Sequence, residues 1–199
     1  MIVFMIVVVW MLFLVGLVIV LGKNKRVPEG YTMTEDIYDL LNEKQIEYGN
    51  ALWEELVEVN MRVLDIFRMK IFFYYFVNQI PKSVFEEFKN QGYKIKIVDG
   101  ETKLDIREKC LYVDGQDLNE LSYNFSREIG HFVYISLFND YDNLVVLWEK
   151  NNGMVSNVDC SDACEYFKCL FGLYVTHYYD SYKGEESYKY IEKFIKTIS

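Results

Sequence analysis

The run Ser126-Arg127-Glu128-Ile129-Gly130-His131-Phe132 sets Glu128 and His131 at the spacing of the second and last residues of an H-E-x-x-H metal site. In the intact pattern two imidazoles one helical turn apart hold a zinc ion, and the glutamate between them polarises a metal-bound water. Arg127 stands where the first imidazole is needed. A guanidinium is a permanent cation with donors on every nitrogen and no lone pair for a metal. Glu128 and His131 therefore stand where such a centre has its general base and second ligand, with the first ligand position reversed in chemistry.

These residues need a helix. Residues 117–137 supply one, with Leu118, Leu121, Phe125 and Phe132 forming a core-facing stripe. Upstream, residues 71–77 (IFFYYFV) read as a buried strand. Pro81 fits a first helical position and Gly92 a stop, which predicts a short helix over 82–91. Residues 93–98 alternate with period two, and 110–113 end at Asp114-Gly115, so two further strands follow. Residues 145–150, 164–178 and 187–198 read as helices. The expected class is α+β, a small mixed sheet with helices packed on it.

Residues 1–22 hold no charged side chain. A helix of about 20 residues crosses a bilayer core of roughly 30 Å, so this segment is expected to be a single transmembrane helix. A cleaved signal peptide would show a basic start, a shorter apolar run and a small-x-small cleavage site, which this segment lacks. Lys23, Lys25 and Arg26 follow it, and such charges favour a domain on the cytoplasmic side, with an extracytoplasmic one as the alternative. Residues 23–34 read as a tether, Thr32 and Glu35 as a capping box, and 35–70 as one long helical region with a break near Gly49.

With 30 acidic against 21 basic residues in 199, the net charge of -9 argues against nucleic acid as a partner. Cys110, Cys160, Cys164 and Cys169 are compatible with free thiols in a reducing compartment, and their even number also permits two disulfides. Cys160, Cys164 and Cys169 do not follow a usual zinc spacing and read as small buried apolar residues. His177 is assigned no role, and the 17 tyrosines and 14 phenylalanines read as core and filler. Glu128 and His131 each have an ordinary alternative: a carboxylate paired with a neighbouring cation, and an imidazole hydrogen-bonded at the core edge.

In this order of elements, residues 71–199 resemble the catalytic domain of the anthrax lethal factor family of zinc metallopeptidases, which includes the proline-specific endopeptidases of clostridia. Three stretches carry the resemblance. Ile80-Pro81 through residue 98 is similar to the family's strand-helix-strand opening. Arg127-Glu128-Ile129-Gly130-His131 is similar to H-E-[FIL]-G-H. Glu165-Tyr166-Phe167-Lys168-Cys169-Leu170-Phe171 looks like E-F-F-A-E-A-F and is followed by a final amphipathic helix. The resemblance implies a zincin-like fold, with Glu128 as general base and His131 and Glu165 as zinc ligands.

Three departures fall on the chemistry. Arg127 replaces the first ligand, residues 151–164 contain no tyrosine to stabilise an oxyanion, and Cys169 replaces the second acid of the last motif. The expectation is a membrane-anchored, catalytically inactive relative that binds a protein or peptide and needs no cofactor. Two alternatives stay open: an active zinc metalloendopeptidase with an atypical ligand set, and a structural membrane-anchored module. Loss of the metal would leave carboxylates converging in one cleft, so the Arg127 guanidinium is expected to enter it and pair with Glu165 or Glu128.

Overall fold

Asn42 and Gln45 start the first described helix by satisfying each other's backbone: the Gln45 amide donates to Asn42 Oδ1 at 3.1 Å and the Asn42 amide to Gln45 Oε1 at 3.0 Å. That helix, α1, spans Glu43–Leu56. The computed structural model describes residues 40–59, 66–116, 118–156, 158–177 and 185–199, the side chains of 118–121 excepted. The expected transmembrane helix over 1–22, the tether over 23–34 and the Thr32–Glu35 cap lie outside these residues. Among the described residues, no helix is long and apolar enough to cross a membrane.

Two expectations upstream of the site are corrected. The region 35–70 is not one long helix: α1 ends at Leu56 and turns directly into strand β1, Val57–Val59. Two β-branched valines opposite Ile95 and Ile97 of the neighbouring strand outweigh the helical period there. Nor does α1 break at Gly49. The glycine is buried inside the helix, and a Cβ there would come within 2.7 Å of the Tyr74 ring, so it marks a close helix approach.

The second correction is residues 71–77, which belong to helix α2, Ile66–Val77. Its Met69, Ile71, Phe72, Phe73, Tyr74, Phe76 and Val77 are all buried. A helix covered on several sides loses the polar stripe that would reveal its period, so its sequence imitates a buried strand. Trp53 of α1 meets Phe73 edge-on, with ring centroids 5.4 Å apart, which locks the two helices together.

Helix α3, Lys82–Asn90, follows Pro81, which serves as its N-cap and not as its first residue, and Gly92 turns the chain away with φ of 79°. Strand β2, Lys94–Val98, alternates in burial as its sequence implies. Strand β3, Lys103–Asp105, and β4, Cys110–Asp114, complete a four-stranded sheet of order β1-β2-β4-β3. β1, β2 and β4 run parallel, and β3 is antiparallel to β4 at one edge. Because β1 lies within the region expected to be helical, the sheet spans the anticipated boundary at residue 70. All described residues fall in one compact unit, Thr34–Ser199.

Helix α4, Leu118–Ser136, packs on β3 and β4. Phe88 of α3, Tyr93 and Phe132 of α4 form a closed ring cluster with centroids 4.9 to 5.1 Å apart, which fastens the helix to the sheet. Phe125 and Phe132 are buried as expected. Helix α5, Tyr141–Lys150, leads into a two-stranded hairpin, β5 Met154–Val155 and β6 Val158–Asp159. Helices α6, Ala163–Val175, and α7, Glu186–Ile198, end the chain. The architecture is α+β, with seven helices and a small mixed sheet among the described residues.

Candidate functional site

Two glycines let α4 and α6 touch closely. A Cβ on Gly130 would lie 2.9 Å from Phe171 Cβ, and one on Gly172 would lie 3.3 Å from the Arg127 Cα. At such a separation, side chains one turn away on each helix meet face to face. Arg127 and Glu128 on α4 thereby confront Glu165 and Lys168 on α6.

The start of α6 fixes Glu165. Asp162 is the N-cap, and its Oδ1 accepts the Glu165 amide at 2.9 Å. That hydrogen bond holds the Asp162 carboxyl below its usual range. Glu165 thus sits in the first turn, where the helix dipole favours a carboxylate.

Four charges close a loop between the helices. Arg127 Nη2 donates to Glu165 Oε2, and Arg127 Nη1 lies 3.3 Å from Glu128 Oε1. Lys168 Nζ lies 2.9 Å from Glu165 Oε1 and 3.1 Å from Glu128 Oε1. Each cation spans both carboxylates, and each carboxylate accepts from both cations. A fifth partner comes from the sheet edge, where the Leu104 amide of β3 donates to Glu128 Oε2 at 3.0 Å.

Electrostatics follow from this geometry. Burial alone would raise the Glu128 carboxyl, but the His131 imidazole, the Leu104 amide and Lys168 outweigh it and hold the group at about 2. Glu165 is likewise lowered: burial opposes ionisation, and Lys168 and then Arg127 overcome it. Burial works against the charge of both cations too, yet Glu165 and Glu128 raise Lys168, and Glu165 foremost raises Arg127. The group is a mutually neutralised set of four ions.

The structure brings all four sequence-derived site residues together: Arg127, Glu128, His131 and Glu165. The Arg127 guanidinium turns inward onto both glutamates, as the sequence reading expects. His131 is less engaged. Its Nδ1 stands 3.6 Å from Glu128 Oε2, is buried, and has no hydrogen-bond partner of good geometry among the described residues. Nδ1 thus faces the Glu128 carboxylate at the core edge, at a distance longer than a normal hydrogen bond.

Lys168 is the residue that sequence reasoning missed. It is 6 % exposed, rare for a lysine, and occupies the alanine position of the E-F-F-A-E-A-F pattern. A lysine three residues after a glutamate on a helix reads as a surface ion pair, and only the exchange of alanine for a cation inside that motif could have signalled it. Tyr123 was also missed. It lines a cleft of about 350 Å³ beside the charges, together with Arg127, Asp159, Ser161, Glu165 and Cys169.

These side chains do not fit a zinc ion. Arg127 and Lys168 bring two fixed positive charges, the charge of the dication itself, onto the carboxylates that would bind it. The lone pairs of Glu128 and Glu165 that face one another are already accepting hydrogen bonds. Among the described residues, no group of three His, Cys, Asp or Glu side chains is arranged to hold a metal. His177 lies elsewhere, with Nε2 3.1 Å from Gln79 Oε1.

No protein-family model, curated protein or solved structure matches the chain.

Proposed function

We propose that this chain is a catalytically silent relative of the lethal-factor-type zinc metallopeptidases, a zincin-like domain carried on a membrane helix over residues 1–22. In this reading the metal's charge has been replaced from within by Arg127 and Lys168, and the cleft beside them holds a protein or peptide. The observation that carries the proposal is the closed set of Arg127, Lys168, Glu128 and Glu165. It joins two of the three stretches on which the resemblance rests.

The same geometry argues against hydrolysis. A general base must be free to accept a proton near neutral pH. Glu128 accepts hydrogen bonds or ion pairs on both oxygens and is held at about 2, so it is a poor base. The acidic surface, with a net charge of -9, disfavours nucleic acid and leaves a protein or peptide as the partner class. The basic residues Lys23, Lys25 and Arg26 favour a domain on the cytoplasmic side, with an extracytoplasmic one as the alternative.

The test uses the full-length chain in mild detergent, incubated with zinc, desalted and analysed for metal, then offered a mixed peptide library. The expected result is no stoichiometric zinc and no cleavage, with library peptides cross-linking near Arg127. About one zinc per chain, lost in Glu165→Ala and accompanied by cleavage, would establish the active peptidase instead. Neither zinc nor cross-linked peptide would leave a structural membrane-anchored module.

A further inference from the structure

Helices α5 and α7 each pack on α6, and a groove of about 650 Å³ runs between them. Its floor is apolar, made by Phe138, Leu147 and Phe194, while Asn143, Lys150 and Lys193 stand among the side chains that line it. Lys150 pairs with Glu186 across one end. Towards the other, Tyr190 Oη donates to Asp140 O at 3.1 Å, and the Phe138 and Phe194 rings meet with centroids 5.2 Å apart. These bridges show that the two helices run in opposite directions. They also fix the spacing between the helices, so the groove is preformed.

The faces beside the groove carry matched chemistry. On α5, Asp142, Val145, Val146 and Glu149 follow the i, i+3, i+4, i+7 pattern of one helical face, and all four are exposed. Val146 is 62 % exposed and lines the groove. Leu144 and Leu147 are buried on the other side of the helix. On α7, Lys189 and Lys193 are exposed one turn apart, away from the buried Ile191 and Ile195. One helix thus offers an apolar ridge edged by acids, and the other a basic stripe.

We infer that the occupant of this groove is a second copy of the chain, which inserts its own Val145-Val146 ridge and receives the first copy's ridge in return. Such an exchange is a two-fold, isologous contact. Mutual insertion requires the two-fold axis to run along the helices, so the two α5 helices lie side by side and parallel. Asp142 sits about two turns before Lys150, which stands opposite Glu186. Because α7 runs the other way, the residue level with Asp142 across the groove lies about two turns after Glu186, at Lys193. Asp142 of each copy therefore pairs with Lys193 of the other.

Charge selects this occupant. Copies of a chain with a net charge of -9 repel one another, so association needs a face on which opposite charges meet. A groove edged by Lys189 and Lys193 calls for a ridge carrying acids, and α5 of the same chain presents one. Burial of Val146 over Phe138 and Phe194 supplies the apolar part of the contact, and the ion pairs at its rim set register and orientation. The groove shares no lining residue with the cleft beside Arg127. The inference does not depend on the function proposed above.

The test measures self-association of the full-length chain by sedimentation equilibrium in density-matched detergent, up to about 0.5 mM so that a weak dimer is populated. Asp142→Lys and Lys193→Glu should each weaken the dimer at least about 10-fold, since each turns two attractive contacts into repulsive ones. The combined variant Asp142→Lys/Lys193→Glu should recover to within about 3-fold of the unaltered chain, because the pair is restored with its signs exchanged. Both side chains are exposed, so neither reversal disturbs the core. On mild oxidation Val146→Cys should form a linked dimer, whereas Lys44→Cys on α1 and the unaltered chain, whose four cysteines are free, should not. A chain that stays monomeric would overturn the inference. So would a dimer indifferent to both reversals, as one held by residues 1–22 would be, or one that the combined variant fails to restore.

Discussion

Lys168 Nζ lies 3.1 Å from Glu128 Oε1, and the two side chains are only 7 % and 6 % exposed. An ion pair removed so far from water is governed by the charge left behind when one partner goes.

Replacing Lys168 by methionine keeps the apolar stem and deletes the cation. Glu128 then keeps Arg127 and the Leu104 amide but loses its most buried partner, and the domain should lose about 3 kcal/mol of stability. Urea unfolding measures this. The double variant Lys168→Met/Glu128→Gln should be more stable than Lys168→Met alone, because the uncompensated charge is gone. If the second substitution adds to the damage, the pair is not coupled in this way.

Acid should act through the same carboxylate. Glu128 titrates near 4.5 when free and at about 2 in the fold, so the folded state binds fewer protons as pH falls between these values. Its contribution is complete above the unfolded value and is lost as pH drops from about 4.5 towards 2, on the order of 3 kcal/mol in all. Glu165 and Asp162 are lowered too and add in the same direction. Urea midpoints measured at about pH 6 and about pH 3 should differ less in Glu128→Gln than in the parent chain. An equal difference in both would assign the acid sensitivity elsewhere.

On the reading proposed above, the two cations predict an order in which metal affinity can be introduced. Arg127→His supplies the missing imidazole but leaves Lys168 on both carboxylates, so this variant should remain free of zinc. Arg127→His/Lys168→Ala removes both charges and should take up about one zinc per chain, read by elemental analysis. Stoichiometric zinc in the single variant would show that Lys168 moves aside easily.

Much of this was legible before any coordinates. Pro81, Gly92, the alternation at 93–98 and the run into Asp114 signalled α3, β2 and β4 to within a residue or so, because each carries a local signal that packing does not override. Arg127 was readable as the partner of Glu165 for a different reason: carboxylates that converge in a cleft need a cation, and the first ligand position supplied one. Helix α2 was not legible, since its aromatic run is buried on too many sides to show a period. β3 was missed because Lys-Leu-Asp is three residues long and is held by register with Cys110 to Tyr112, not by its own pattern. Lys168 was hidden by chemistry: nothing local distinguishes a lysine that enters a cleft from one that waves in solvent.

The Leu104 amide has a role apart from the charges. It belongs to β3, the strand at one margin of the sheet, where unpaired backbone groups offer a template on which another chain could add a strand. Glu128 already occupies that amide from the helix above. The Glu128 carboxylate therefore also covers a donor of this edge, and its loss should show as lowered solubility as well as lowered stability.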